Sequence, residues 1–233
     1  MESIQPYVVF HIGAIGVTDT VVSTWLIMAL IVALAVALKR WQPSLAEWGL
    51  DSLNGMISDV MGRPAGPYLP FLGTLAIFIA AANTFSAVPF ITAPTRDVNT
   101  PLALAVIVFF SVHYFGIREK GAWRYLRDMA TPIFNLPLEI IGQLSRTLSL
   151  TLRLFGNIIG GELVATVIFT LVPLLIPILM TGLGLFTGVL QAYVFTALAS
   201  VYIASGVEVA ELPDKKKQAH RLEENRGLAG QEI

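Results

Sequence analysis

Five stretches of the chain are apolar over membrane-scale lengths, with polar punctuation between them. The first runs from Val21 to Leu38 and closes on Lys39 and Arg40. The second covers 68–90 and is interrupted by Pro70, Asn83 and Thr84. The third, 102–117, is short. The fourth covers 137–171 and the fifth 177–204, with Pro173 and Pro177 marking the break between them. A helix needs about 20 mostly apolar residues to cross a bilayer. The pattern therefore predicts an all-α integral membrane protein with five transmembrane helices.

Residues 44–61 follow a different rule. Ser44 and Glu47 have the S-x-x-E spacing of a capping box. Leu50, Leu53, Ile57 and Val60 then recur at helical spacing, while Glu47, Asp51 and Ser58 occupy another face. Gly62 and Pro64 end the segment. Its place between two spans predicts an amphipathic helix lying in the membrane interface. Beyond 212 the chain turns polar, so 1–211 reads as the membrane domain and 212–233 as a solvated, mobile tail.

Basic residues settle the sidedness, because short cytoplasmic loops are rich in Lys and Arg. With the N-terminus outside and five alternating spans, every Lys and Arg except Arg96 and the two within the fourth span, Arg146 and Arg153, falls inside. Counting 44–61 as a sixth span would split that cluster. The N-terminus lacks the basic region of a signal peptide, and the first span reads as a retained anchor.

Composition agrees with the membrane reading and excludes several chemistries. Hydrophobic residues make up 55% of the chain and charged residues only 13%, against about 25% charged in a soluble domain. No cysteine is present, which removes disulfides, thiolate metal sites and cysteine catalysis. His11, His113 and His220 have no ligand spacing, so no metal or other cofactor is expected. A phosphate-binding loop is approached only at Gly116 and Gly121, where Ala122 stands in place of the required lysine. The chain is thus expected not to act on ATP itself. A net charge of −1 carries no signal for nucleic acid, and none is expected as a partner.

The fourth span holds Glu139, Arg146, Arg153 and Glu162. A charged side chain at mid-membrane costs roughly 2.5 to 3.5 kcal/mol on insertion scales, and persists where it faces protein or water and has a task. At about 100° per residue, Arg146 lies about 20° from Arg153 around the helix, and Glu139, Ser149 and Asn157 each about 40°. These five form one polar stripe about 27 Å long. Glu139 and Arg146 lie nearer the inner end, within reach of the interface. Glu162 lies about 180° from Arg153 and about 13 Å further along. A straight helix cannot pair the two. The arrangement suits a helix that separates two polar cavities, or a cavity from a partner protein. With no acidic residue one turn from Arg153, its counter-charge is expected on another chain. Gly156 and Gly160 flank the same face, and Gly184 and Gly188 repeat that spacing in the fifth span, so close helix approach is expected at both.

The segment SLTLRLFGNIIGGELV, Ser149 to Val164, resembles the signature of the a subunit of F-type ATP synthases. Gln191 in VLQAYVF and the segment PTRDVNTPLALA, 94–105, are similar to that family too, and the likeness extends over about 68–207. It implies the stationary ion-channel subunit of a rotary ATP synthase. Two long tilted helices would face the ring of c subunits, in a bacterial inner membrane with the C-terminus cytoplasmic. It implies b subunits of the peripheral stalk, other synthase subunits and lipid as further partners. Arg153 matches the family's essential arginine, which faces the acidic residue of the rotating ring. Asn157 and Gln191 match polar residues near it. Glu162 matches an ionisable position of the outer half-channel, Glu139 a carboxylate of the inner one, and Ser149 a small polar residue nearby. Many members carry a second ionisable residue seven positions before the glutamine, where this chain has Gly184.

The rival reading is an ion channel or secondary transporter working alone. An intramembrane protease lacks its motif, H-E-x-x-H, and only His113 lies in a span. A receptor would need larger outer segments.

Overall fold

The computed structural model describes residues 8–12, 15–85, 94–129, 135–171 and 176–229. An antiparallel hairpin, β1 (Val8–Ile12) and β2 (Ile15–Thr18), comes first. It is an addition to the expected all-helical plan, built from β-branched and aromatic residues that favour a strand. Helices follow: α1 (Asp19–Trp41), α2 (Pro43–Met61), α3 (Leu69–Phe85), a 3-10 turn (Pro94–Arg96), α4 (Asn99–Lys120), α5 (Ala122–Met129), α6 (Asn135–Leu171) and α7 (Ile176–Ala229).

Four of these helices, α1, α4, α6 and α7, are long and apolar enough to cross a membrane. They coincide with the first, third, fourth and fifth expected spans. The second corresponds to α3, an apolar helix of 17 residues; positions 86–90 of that span lie outside the described residues. On α1, large side chains such as Trp25, Met28, Val32 and Val36 are exposed. An apolar surface this continuous suits lipid rather than water.

α2 occupies the place of the expected interfacial helix, but its start differs. The capping box does not form. Gln42 is the N-cap and Pro43 takes the first helical position, where a fixed φ and a missing N–H cost nothing. Ser44 is therefore already inside the helix. The other end is as expected, with Gly62 left-handed at φ 64°. Ile57 is fully buried against the body while Trp48 stands exposed, so α2 has one face on protein and one free.

The core lies where α3, α4 and α7 meet, with α6 packed along α4 and α7. Leu72, Ile79, Val108, Phe115, Phe195 and Ile203 belong to one buried cluster, which Leu150 and Leu154 of α6 join. At the α2–α3 turn, Arg63 donates to the Tyr68 hydroxyl at 3.5 Å, and that hydroxyl donates to Glu119 at the end of α4 at 3.2 Å. The short helix α5 folds back on α4. Tyr125 is buried against Gly116, where an added Cβ would meet its ring, and its hydroxyl lies 2.8 Å from His113 Nδ1. α7 continues as helix past 212 to Ala229, so the polar segment is a direct extension of the last span.

Candidate functional site

The 37 residues of α6 divide into two sides. Gln143, Leu150, Thr151, Leu154 and Ile158 are buried against the body; Leu144, Leu148, Leu152 and Gly156 are exposed. The polar stripe follows the border between them. Arg146 and Asn157 are half-buried, and Ser149 and Arg153 are exposed. Glu139 and Glu162 lie on this helix, but their side chains fall outside the described residues.

The stripe is not uniform. The Arg146 guanidinium stacks over the Tyr202 ring of α7, 5.4 Å from its centroid, a cation–π contact that holds the charge within the chain. With Gln143, Thr147 and Tyr202 it lines a cavity of about 20 Å³ between α4, α6 and α7, enough for one water molecule. Arg153, two turns on, has no hydrogen-bonding or acidic partner among the described residues. An exposed guanidinium on an otherwise apolar helix face is expensive in lipid. Its environment must come from water or from another chain.

Most hydroxyls near the stripe are already engaged. Thr147 donates to the Gln143 carbonyl at 3.0 Å and Thr151 to the Thr147 carbonyl at 2.9 Å. On α7, Thr196 and Ser200 donate to Ala192 and Thr196 carbonyls, each at 2.8 Å. Gln191 is different. It is 8% exposed and its Nε2 has no partner among the described residues. A buried donor left unpaired costs about 1 to 3 kcal/mol, so this amide calls for a partner such as a bound water or a polar group from outside the described residues. Among the described residues no group of three His, Asp or Glu is placed to hold a metal ion.

The chain has its stripe on a long membrane helix, a cation on the stripe with no partner among the described residues, and a buried amide on the helix packed beside it. Residues 20–204 match the sequence profile of the family described as ATP synthase A chain. The chain belongs to the ATP synthase A chain family. ATP synthase subunit a 2 of Bradyrhizobium sp. strain BTAi1 is 43% identical, over 85% of this chain and 92% of its own length. The corresponding protein of Picosynechococcus sp. strain PCC 7002 is 44% identical, over 90% and 92%. ATP synthase subunit a of Nitrosospira multiformis is 37% identical, over 83% and 81%. Membership in the ATP synthase A chain family leaves the stand-alone channel or secondary transporter without support.

Several polar contacts carry no sequence signal of their own. Asn83, Thr95 and Gly188 meet in the interior, and Tyr202 receives Arg146. Asn83 and Tyr202 read in sequence only as ordinary interruptions of apolar runs. Pairing them needs contacts between residues far apart in the chain.

Proposed function

We propose that this chain is the stationary half of a rotary ion path. It would give ions two half-channels to and from carboxylates on a ring of c subunits, and would be held by the b subunits of a peripheral stalk. The observation that carries the reading is Arg153, an exposed cation with no partner among the described residues, on an apolar helix and bordered by the open glycines of α6. α3 serves as a fifth crossing, the N-terminus lies outside and the polar end of α7 lies in the cytoplasm of a bacterial cell. At about 1.5 Å per residue, α6 extends roughly 55 Å. That exceeds a hydrocarbon core of about 30 Å, so α6 is tilted, and α7 with it.

The chemistry follows from charge and solvation. A ring carboxylate that takes up H⁺ (or Na⁺) from one half-channel is neutral and can face lipid; the bare anion cannot. Arg153 stays charged at any relevant pH. It attracts the returning carboxylate, favours its ionised form and so drives release into the second half-channel. It also closes the direct route between the two. Glu162 serves the outer half-channel. Gly184 provides no ionisable group there, so water must complete that path. Glu139 and Ser149 border the inner one. Asn157 and Gln191 offer uncharged polar groups beside the arginine. Each elementary charge crossing contributes about 2.3 kcal/mol per 100 mV.

Reconstitution separates this from a self-sufficient channel. In sealed vesicles the purified chain is expected to pass no ions alone, and to conduct when assembled with the ring. Conduction by the chain alone would refute the proposal.

A further inference from the structure

Away from the stripe, three elements meet at one fully buried polar contact. Asn83, near the end of α3, is 1% exposed, and Thr95, in the 3-10 turn, is 0% exposed. The Asn83 amide donates through Nδ2 to the Gly188 carbonyl of α7 at 3.1 Å. A carbonyl only accepts, so the NH₂ end must face α7 and Oδ1 must face Thr95. The Thr95 hydroxyl donates to that oxygen at 3.0 Å. Both ends of the amide are thereby fixed.

The contact is steric as well. A Cβ at Gly188 would lie 2.9 Å from Asn83 Cβ and 3.6 Å from its carbonyl carbon, so only glycine lets α7 approach α3 this closely. The rest of the α3 face in the core is aliphatic: Leu72, Leu75, Ala76 and Ile79 are buried there. Apolar contact is non-directional and tolerates small rotations or slips of one helix along another. A hydrogen-bonded amide seated on a glycine does not. Gln191, whose buried Nε2 has no partner among the described residues, follows Gly188 by three residues, about 4.5 Å along α7.

We infer that Asn83, oriented by Thr95, is a positioning residue that fixes the height and rotation of α7 at Gly188. It thereby sets the direction in which Gln191 presents its amide to the ion path. The inference rests on Gln191 belonging to that path; Asn83 itself need not touch the ion.

The test uses the whole ATP synthase in sealed vesicles, with the other subunits freed of cysteine. Nitroxide labels are placed on cysteines introduced at the exposed positions 77 and 184 of this cysteine-free chain. Thr95→Val keeps the shape of the side chain and removes its hydroxyl, whereas Thr95→Ser keeps the hydroxyl. With Thr95→Val, the distance between labels should shift or broaden by at least about 1.5 Å, one residue's rise. ATP-driven pumping should fall about three- to tenfold, the scale of one lost hydrogen bond. Thr95→Ser should leave both close to the parent. If Thr95→Val does not assemble, Asn83→Asp is read in its place, since it keeps the shape and loses the donor to Gly188. An unchanged distance overturns the inference, as does a changed distance with full pumping, or Thr95→Ser behaving like Thr95→Val. The distance needs no working ion path. Failure of the inference is therefore distinct from failure of the proposed function, which would appear as conduction by the chain alone.

Discussion

Two helices of this protein carry glycines at membrane depth, and α7 from Gly188 to Gly206 uses them in the opposite way to α6. On α7, Gly188 and Gly206 face neighbours so closely that an added Cβ would lie 2.9 Å from Asn83 Cβ and 2.7 Å from a Val112 methyl. On α6, a Cβ at Gly156, Gly160 or Gly161 would meet nothing within 4 Å among the described residues. The same residue type makes a tight internal seam in one helix and a smooth open surface in the other. Only the first is explained by packing within the chain. The second is not, and that open surface borders Arg153. The two arginines repeat the contrast, with Arg146 stacked on Tyr202 inside the body and Arg153 exposed.

The comparison can be broken at the seam first. Gly206→Leu should be the most damaging change to the fold, because Val112 Cγ1 and the Val112 carbonyl already occupy the space. Overpacking of this kind costs about 1 to 3 kcal/mol or more. The measurable outcome is a large drop in the amount of this chain recovered in membranes. Normal yield would mean that the α4–α7 seam is looser than described.

Gly160→Leu sharpens the other half. Nothing among the described residues lies within 4 Å of a Cβ there, so yield and thermal stability should stay within about 0.5 kcal/mol of the parent. ATP-driven pumping should nevertheless fall at least tenfold, because a partner that needs close approach is held off. Equal pumping would show that no partner uses this face. Retained assembly after Gly160→Leu and lost assembly after Gly206→Leu is the pairing to look for.

The smallest effect is expected from Arg146→Gln. Loss of the stack on Tyr202 should lower stability by about 0.5 to 1 kcal/mol, read as a small decrease in melting temperature, and pumping should stay above half. A full loss of pumping would place Arg146 beside Arg153 in the ion path, contrary to the division drawn between them.

What could be read from the chain beforehand follows the range of each signal. The polar stripe of α6 is a local pattern, three charges on one face of an apolar run, and simple periodicity put Arg146, Arg153 and Asn157 along one line. Four spans were legible for the same reason, each being a run of apolar residues. Helix α2 was legible from its period, but its first turn was not, because Ser44 and Glu47 imitate a capping box one residue after Pro43 has already begun the helix. α5 is only eight residues long and mixes Trp123, Arg124 and Arg127, a composition that also fits a loop. Its anchor is Tyr125 against Gly116, a contact set by tertiary geometry. The continuation of α7 past 212 was hidden by a charged run that includes Pro213. The pin formed by Asn83, Thr95 and Gly188 joins residues 105 apart in sequence between α3 and α7, and spacing along one helix cannot disclose such a pair.

Arg153→Ala, measured for pumping and passive flux in the same sealed vesicles, tests the central claim most directly. The substitution removes an exposed side chain, so the complex should assemble in normal amounts. On the proposed function it also removes both the attraction for the ring carboxylate and the barrier between the half-channels. ATP-driven pumping should be abolished, passive ion flux should persist or rise, and Arg153→Lys should fail to couple as well, since lysine lacks the planar fork and can lose its proton when desolvated. Normal coupled pumping by the assembled Arg153→Ala complex would contradict the account.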